Sequence, residues 1–225
     1  DGETVTINLN GHNLTGGATD VIRVVNGGNL TITGTGTIST KTADNTAIWL
    51  MNGGGTLTVG EDVTISAPNG DESEGYGIGV YASGPITATV NLDGKILGGN
   101  GLTVNGNISG GVTVNVGSTA NITVDDTGLY LAGFATTNIN GASITGGKTG
   151  VEIRAGELNV HGATIKGNGT FVSPIPGNPN GSTTVGAGIA VAQHTTNKNI
   201  TVTVDQNTMI YAQKQITMAR PQGGN

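Results

Sequence analysis

Apolar and polar residues alternate with a period of two in short runs along the whole chain. Each run places aliphatic side chains on one face and Thr or Asn on the other, which is typical of a half-buried strand. The first runs recur about every 25 residues, so the chain carries an internal repeat. They are TVTINL (4–9), NLTIT (29–33), TLTV (56–59), ITATVNL (86–92), GVTVNV (111–116), TTNIN (136–140), ELNV (157–160) and NITVTV (199–204).

Two further runs follow each first run. The second, such as GTIST, DVTISA or ANITV, comes after a short Gly, Asn or Asp turn and carries one or two aliphatic residues. The third places two aliphatic residues two positions apart, and both are expected to point inward. These pairs are Ile22/Val24, Ile48/Leu50, Ile78/Val80, Leu102/Val104, Leu129/Leu131, Val151/Ile153, Ile189/Val191 and Ile216/Met218.

The three-part repeat predicts an all-β fold, a single-stranded parallel β-helix solenoid of about eight coils with three short strands each. One coil cannot bury its apolar face, but stacked coils share a continuous aliphatic core. A two-sheet sandwich is the alternative, but it does not explain why the inward pair recurs in every third run. Insertions at 67–75 and 167–186 interrupt the period, and we expect them to be loops on a single domain spanning 1–225.

Composition supports strands and turns and excludes several partners. The chain has 41 Gly, no Cys and only 11% charged residues. A net charge of -6 with 9 basic residues argues against nucleic acid or an anionic membrane surface as a partner. No run of apolar residues is long enough to insert this segment into a membrane, and the absence of Cys excludes disulfides and thiolate metal sites.

The phrases VTINLNGHNLTGG, GGNLTITGTGTIST, NINGASITGG and LNVHGATIKG resemble the right-handed β-helix repeats of pectin-lyase-like proteins. They are most similar to the repeat regions of bacterial cell-surface proteins and adhesins. The resemblance implies a right-handed coil and a segment excised from a larger extracellular surface protein. It covers the whole chain but specifies fold rather than activity.

The same superfamily contains pectinase-like lyases and hydrolases, so a polysaccharide-active enzyme is the alternative function. Candidate acids are Asp125 and Asp126, and Val160–His161–Gly162 offers a His-Gly element, but the Arg-x-Lys element of the hydrolases is absent. Neighbouring strand residues point to opposite faces, so we interpret Asp125–Asp126 as a corner turn. No convincing catalytic set emerges, and the sequence predicts no catalytic residues.

Metal and cofactor candidates are few. Asp71, Glu72 and Glu74 in the first insertion are weak candidates for calcium, a cation that prefers several oxygen ligands. They lack the spacing of a known calcium loop, and an acidic solvated loop explains them as well. The three His residues lie in different coils, so no zinc site is expected. We expect no cofactor, with calcium as the open alternative.

The outward face of the third strand carries the strongest binding signal. If the register holds, Trp49, Tyr81 and Tyr130 lie on one sheet, and exposed aromatic side chains on a sheet are typical of glycan or protein recognition. The alternative is that flanking loops cover them. The full set of expected ligand-binding residues is Trp49, Tyr81, Tyr130, Arg23, Arg154 and, in the second insertion, Phe171.

The outward face of the first strand is a ladder of Thr and Asn. A flat Thr-x-Thr ladder resembles the ice-binding surface of some antifreeze proteins, but only two coils keep Thr at both positions. A generic solvated β-branched surface is the simpler interpretation, and ice binding is a further alternative. The leading hypothesis is a non-enzymatic adhesin or ligand-binding stalk that recognises a glycan or a host protein at the bacterial cell surface.

Overall fold

The computed structural model describes residues 2–17, 19–42, 45–68, 75–172, 184–193 and 198–219. Within these ranges the chain forms 24 strands and no helix, and every three consecutive strands make one coil. Coils 1 to 4 contain β1 (Thr4–Asn8), β2 (Leu14–Thr15), β3 (Ile22–Val24), β4 (Gly28–Thr33), β5 (Gly36–Ser39), β6 (Ile48–Leu50), β7 (Gly54–Val59), β8 (Val63–Ala67), β9 (Tyr76–Ala82), β10 (Thr87–Leu92), β11 (Lys95–Gly98) and β12 (Asn100–Gly106). Coils 5 to 8 contain β13 (Val112–Val116), β14 (Asn121–Val124), β15 (Thr127–Leu131), β16 (Ala135–Asn140), β17 (Ser143–Gly146), β18 (Thr149–Ile153), β19 (Gly156–His161), β20 (Thr164–Gly167), β21 (Ala187–Ala192), β22 (Ile200–Val204), β23 (Met209–Ala212) and β24 (Lys214–Ala219).

Strands with the same place in successive coils pair in parallel. The first sheet has the order β1-β4-β7-β10-β13-β16-β19-β22, the second β2-β5-β8-β11-β14-β17-β20-β23, and the third β3-β6-β9-β12-β15-β18-β21-β24. This topology confirms the predicted parallel β-helix of eight coils with three short strands each. The right-handed sense of the coil stays an expectation from the resemblance.

A column of isoleucines fills the core beneath the second sheet. The register places Leu14, Ile38, Ile65, Ile96, Ile122, Ile144, Ile165 and Ile210 at the same inward position of successive strands. From Ile38 to Ile165 these side chains are 0% exposed. Burial of one such side chain is worth about 1.5–3 kcal/mol, so this column alone is a large part of the driving force for stacking.

A column of glycines faces the isoleucines. The second residue of the third strand is glycine in coils 3 to 7, at Gly77, Gly101, Gly128, Gly150 and Gly188. A Cβ on Gly128 would lie 2.5 Å from the carbonyl oxygen of Gly150 and 2.5 Å from Cγ2 of Ile144. Glycine therefore lets the third sheet begin directly against the core column, because any side chain would collide with the next coil.

The inward pairs of the third strand are buried in the middle of the solenoid and exposed at its end. The pairs from Ile48/Leu50 to Val151/Ile153 are at most 1% exposed. Ile216 and Met218 in the last coil are 49% and 83% exposed, because no further coil packs on them in the described part of the chain. The first coil leaves Val5 at 49% and Leu14 at 39%.

The two predicted insertions fall largely outside the described residues. Of the first, only residues 67, 68 and 75 are described, and of the second only 167–172 and 184–186. An antiparallel bridge joins Val172 to Val185 across the base of the second insertion. None of the described elements is a helix that could cross a membrane.

Candidate functional site

One column of outward positions runs through all eight coils of the third sheet. Its members pair in register, which confirms the register assumed from the sequence and places Trp49 and Tyr130 on one sheet. Tyr81 and Arg154 stand two positions after the members of this column in their own coils. The column consists of Arg23, Trp49, Gly79, Thr103, Tyr130, Glu152, Ala190 and Thr217.

Trp49 lies flat over a glycine of the next coil. A Cβ on Gly79 would fall 2.2 Å from Cζ3 and 2.4 Å from Cε3 of the Trp49 ring. The indole therefore occupies the space of the missing side chain, and it is half-buried there. Tyr81, 43% exposed, meets it edge-on, with 6.3 Å between ring centroids and 78° between planes. We call Trp49 and Tyr81 the aromatic platform.

Polar groups flank the aromatic platform on both sides. Arg23 is the strand partner of Trp49 in the first coil, and its Nε and Nη2 donate to Oδ2 of Asp20 at 3.2 Å and 2.9 Å. Its side chain remains 59% exposed. On the other side the exposed Asn105 is the strand partner of Tyr81. An apolar flat surface with charged and amide groups at its edges can stack on a ring and hydrogen-bond its substituents.

The other half of the same outward face is buried. Tyr130, Glu152 and Arg154 are 3%, 0% and 1% exposed. Nε of Arg154 donates to Oε1 of Glu152 at 2.8 Å, and its guanidinium carbon lies 5.1 Å from the centroid of the Tyr130 ring. Tyr76 stacks on Tyr130 at 6.5 Å between centroids. We call Tyr76, Tyr130, Glu152 and Arg154 the buried polar cluster.

The expectation that Tyr130 and Arg154 contact a ligand on an open surface is therefore wrong in its premise of exposure. Both lie on the predicted sheet at the predicted register, but neither is accessible. A fully desolvated ion pair is costly to break, and its geometry fixes the neighbouring rings. The buried polar cluster thus holds this part of the sheet rather than presenting it.

Burial also keeps both phenols of this cluster neutral. It raises the pKa of Tyr130 to about 12, and Arg154, which opposes the rise, is outweighed. Burial likewise raises the pKa of Tyr76, and the nearby Tyr130 and Asp126 add to the effect. The formal charges of the cluster are therefore those of Glu152 and Arg154, which face each other.

Phe171 lies at the other end of the solenoid from the aromatic platform. It is half-buried at the base of the second insertion, and its backbone N–H donates to Oε1 of Gln213 at 2.8 Å. Nζ of Lys214 lies 5.6 Å from its ring centroid. The structure thus joins Phe171 to the last coil and does not bring it together with Trp49 and Tyr81.

The candidate acids occupy a corner, as predicted. Asp125 and Asp126 form the bend between β14 and β15. Asp126 is 6% exposed, pairs with Nζ of Lys148 at 2.7 Å and accepts from the Thr127 hydroxyl at 3.1 Å, whereas Asp125 is exposed. The two carboxylates therefore sit in different environments, and Asp126 has a charge partner that accounts for it.

His161 meets a carboxylate of the last coil. Its Nδ1 lies 3.9 Å from Oδ2 of Asp205. The pKa of Asp205 is held below its usual value chiefly by the Gly162 backbone N–H, and the Thr208 hydroxyl and the Asn207 N–H add to this. These contacts make Asp205 the organiser of a surface turn.

No grouping of three or more His, Cys, Asp or Glu that could hold a metal ion occurs among the described residues. The weak calcium candidates Asp71, Glu72 and Glu74 lie outside those residues, as does His194. The calcium alternative therefore stays a prediction.

The outward face of the first sheet carries an asparagine ladder. Each amide nitrogen donates to the amide oxygen one coil before it: Asn115 to Asn91 at 2.9 Å, Asn138 to Asn115 at 3.0 Å and Asn159 to Asn138 at 3.1 Å. The ladder starts at Thr58, whose hydroxyl accepts from Asn91. These amides bond one another along the solenoid, a stacking device that the sequence pattern placed correctly but assigned to solvent or ice.

Gly79 and Asp20 are the parts of the candidate site that sequence reasoning missed. Gly79 was passed over because it has no side chain, yet its absence of a Cβ positions Trp49. Pairing IWL with IGV in register shows a Trp beside a Gly, so the signal was available. Asp20 precedes the strand that carries Arg23 and orients its guanidinium.

Comparison of this chain with protein-family models, with curated proteins and with solved structures gave no match. The resemblance to pectin-lyase-like repeats therefore stays an expectation from the quoted phrases. The fold rests on the register of the 24 described strands, and any functional conclusion must come from the chain's own surface.

Proposed function

We propose that this chain is a non-enzymatic, extracellular repeat domain of a bacterial surface protein, an adhesin or ligand-binding stalk, and that it binds a glycan through the aromatic platform. One observation carries the proposal: the Trp49 indole lies over Gly79, with Tyr81 edge-on beside it and a charged pair at its flank. Aromatic side chains with one apolar face and polar neighbours are enriched at recognition sites.

A sugar fits the chemistry of this surface better than an extended protein epitope does. The apolar C–H face of a pyranose needs a flat partner of about one or two rings, and its hydroxyls need donors and acceptors at the rim. Arg23 and Asp20 supply both kinds of group beside Trp49, and Asn105 supplies an amide beside Tyr81. A host protein is the other ligand class considered, and the experiment below separates the two.

The solenoid holds the platform in place before any ligand arrives. Trp49 and Tyr81 belong to β6 and β9, whose inward residues Leu50 and Val80 are 0% exposed and paired in register. Side chains on such anchored strands lose little conformational freedom on binding, and this preorganisation favours affinity. No specific contact among the described residues favours the enzyme alternative or the ice-binding alternative over this proposal.

The test is binding of the purified chain to an array of plant polysaccharides, mucin glycans and host extracellular proteins, with and without calcium. Trp49→Ala should weaken a glycan hit about tenfold or more, equivalent to about 1.4 kcal/mol. Tyr211→Ala is the matched control, because Tyr211 is an equally large aromatic residue, 50% exposed on the second sheet.

A glycan hit that Trp49→Ala and Tyr211→Ala weaken equally would contradict the proposed surface. Hits confined to proteins would replace the glycan by a protein ligand, and calcium dependence would direct attention to Asp71, Glu72 and Glu74. Release of soluble product from a polysaccharide would support the enzyme alternative and overturn the non-enzymatic assignment.

A further inference from the structure

The two ends of the solenoid are complementary to each other. β1, β2 and β3 are the outermost strands of the three sheets at one end, and β22, β23 and β24 are the outermost strands at the other. Each end thus presents three sheet edges in one plane. Such edges are templates for pairing with another chain.

Both ends also present the core positions of the fold. The inward residues Ile216 and Met218 of coil 8 are 49% and 83% exposed, whereas the equivalent residues Leu129 and Leu131 of coil 5 are 0% and 1% exposed. At the other end Val5 is 49% exposed, whereas its strand partner Leu30 is 7% exposed. The residues that cover the core elsewhere are therefore themselves uncovered at the ends.

We propose that the chain associates with a second copy of itself, head to tail, with coil 8 of one copy stacked in register on coil 1 of the next. Continuing the observed register across such a contact brings aliphatic residues together at every inward position. The five contacts, coil 8 residue first, are Val202 with Val5, Val204 with Ile7, Ile210 with Leu14, Ile216 with Ile22 and Met218 with Val24.

Charge complementarity favours the same register. Lys214 stands two residues before Ile216 in coil 8, and Asp20 stands two residues before Ile22 in coil 1. In the stacked arrangement these two residues are neighbours in one column, where opposite charges attract. Asp20 would then lie between Arg23 of its own coil and Lys214 of the next copy.

Strand direction distinguishes this contact from a symmetric one. Head-to-tail stacking keeps all strands of the three sheets parallel, as they are within the chain. A contact between two identical ends related by a twofold axis would make the facing strands antiparallel and would not continue the inward columns. A heterologous contact of this kind is not closed, so it can repeat and build a rod.

The experiment uses one substitution at each end. Val5→Lys places a charge in the face of coil 1, and Ile216→Lys places one in the face of coil 8. Leu97→Lys is the matched control, because Leu97 is 41% exposed in coil 4 in the middle of the second sheet. Sedimentation velocity over a wide concentration range reads the association, and circular dichroism confirms that each variant is folded.

The unsubstituted chain and Leu97→Lys should show a mass that rises with concentration, and each end variant alone should remain monomeric. An equimolar mixture of Val5→Lys and Ile216→Lys should form dimers and nothing larger, because only one coil 8 face and one coil 1 face remain intact in each pair. Lys214→Asp should weaken association, and the double variant Lys214→Asp/Asp20→Lys should restore it.

Monomers of the unsubstituted chain at all concentrations would overturn the proposal. So would association that persists in either end variant, or a mixture that fails to form dimers when both variants are folded. Equal loss of association in Leu97→Lys would place the contact on the side of the solenoid instead.

Discussion

The two halves of the outward face of the third sheet use the same column of positions in opposite ways. In coils 2 and 3 the column and its neighbours expose Trp49 and Tyr81 above Gly79, with Arg23 paired to Asp20 at the surface. In coils 5 and 6 they bury Tyr130, Glu152 and Arg154, and the ion pair is 0% to 1% exposed.

The difference teaches that an aromatic or charged residue on an outward strand position has no fixed role in a β-helix. Its role depends on whether other parts of the chain shield that sector of the sheet. The exposed half keeps polar partners that water can also supply, so its pairs contribute little to stability. The buried half contains groups whose partners are obligatory, because a lone charge there has no solvent.

The sharpest way to break this comparison is to remove one arginine from each half. Arg154→Ala leaves Glu152 buried without this partner and should lower the free energy of unfolding by about 3–5 kcal/mol. Arg23→Ala removes an exposed pair and should cost only about 0–1 kcal/mol. Urea unfolding followed by circular dichroism measures both. Equal shifts of the two midpoints would mean that the buried half is no more committed to the fold than the exposed half.

Alkaline pH should weaken the buried half through its phenols. The pKa of Tyr130 is raised from 10.0 to about 12, so the unfolded chain loses this proton before the folded chain does. The contribution to stability is complete below about pH 10 and is lost as the pH rises to about 12. Urea midpoints measured across this interval should fall, and Tyr130→Phe should reduce the slope. An unchanged slope in that variant would show that the phenol is already in contact with solvent.

Gly79→Ala should sharpen the comparison from the exposed side. The new Cβ would lie 2.2 Å from the Trp49 ring, so the indole must move off its seat, while the core below it is unchanged. We expect a shift in tryptophan emission and stronger quenching by acrylamide, with a stability change of no more than about 1 kcal/mol. Gly84→Ala is the control, because a Cβ there meets nothing within 4 Å. Since Trp49 is the single Trp of the chain, the signal has one source.

Much of the architecture was predictable because the pattern is local and repeated. The inward pairs and the alternating first runs define the register, and the isoleucine column from Ile38 to Ile165 follows from it. The corner at Asp125–Asp126 was predicted for the same reason. The role of the glycines was only partly visible, since Gly128 is required by a neighbour one coil away.

The candidate site was less predictable because exposure is not a local property. Register placed Tyr130 and Trp49 on one sheet, but the period of two cannot show that one is 3% exposed and the other half-buried. The pairing of Arg154 with Glu152 could have been suspected, because two outward residues two positions apart lie side by side on a strand. The burial of that pair could not, since it depends on parts of the chain distant in sequence.

The central claim is that Trp49 and Tyr81 form a preorganised binding surface, and tryptophan fluorescence during titration with an oligosaccharide from the array tests it most directly. A ligand that stacks on the single indole must change its emission or its access to quencher. The account predicts a saturable change with the affinity found on the array, retained in Tyr211→Ala and weakened in Tyr81→Ala. Binding that leaves both emission and quenching unchanged would contradict it and place the ligand elsewhere on the solenoid.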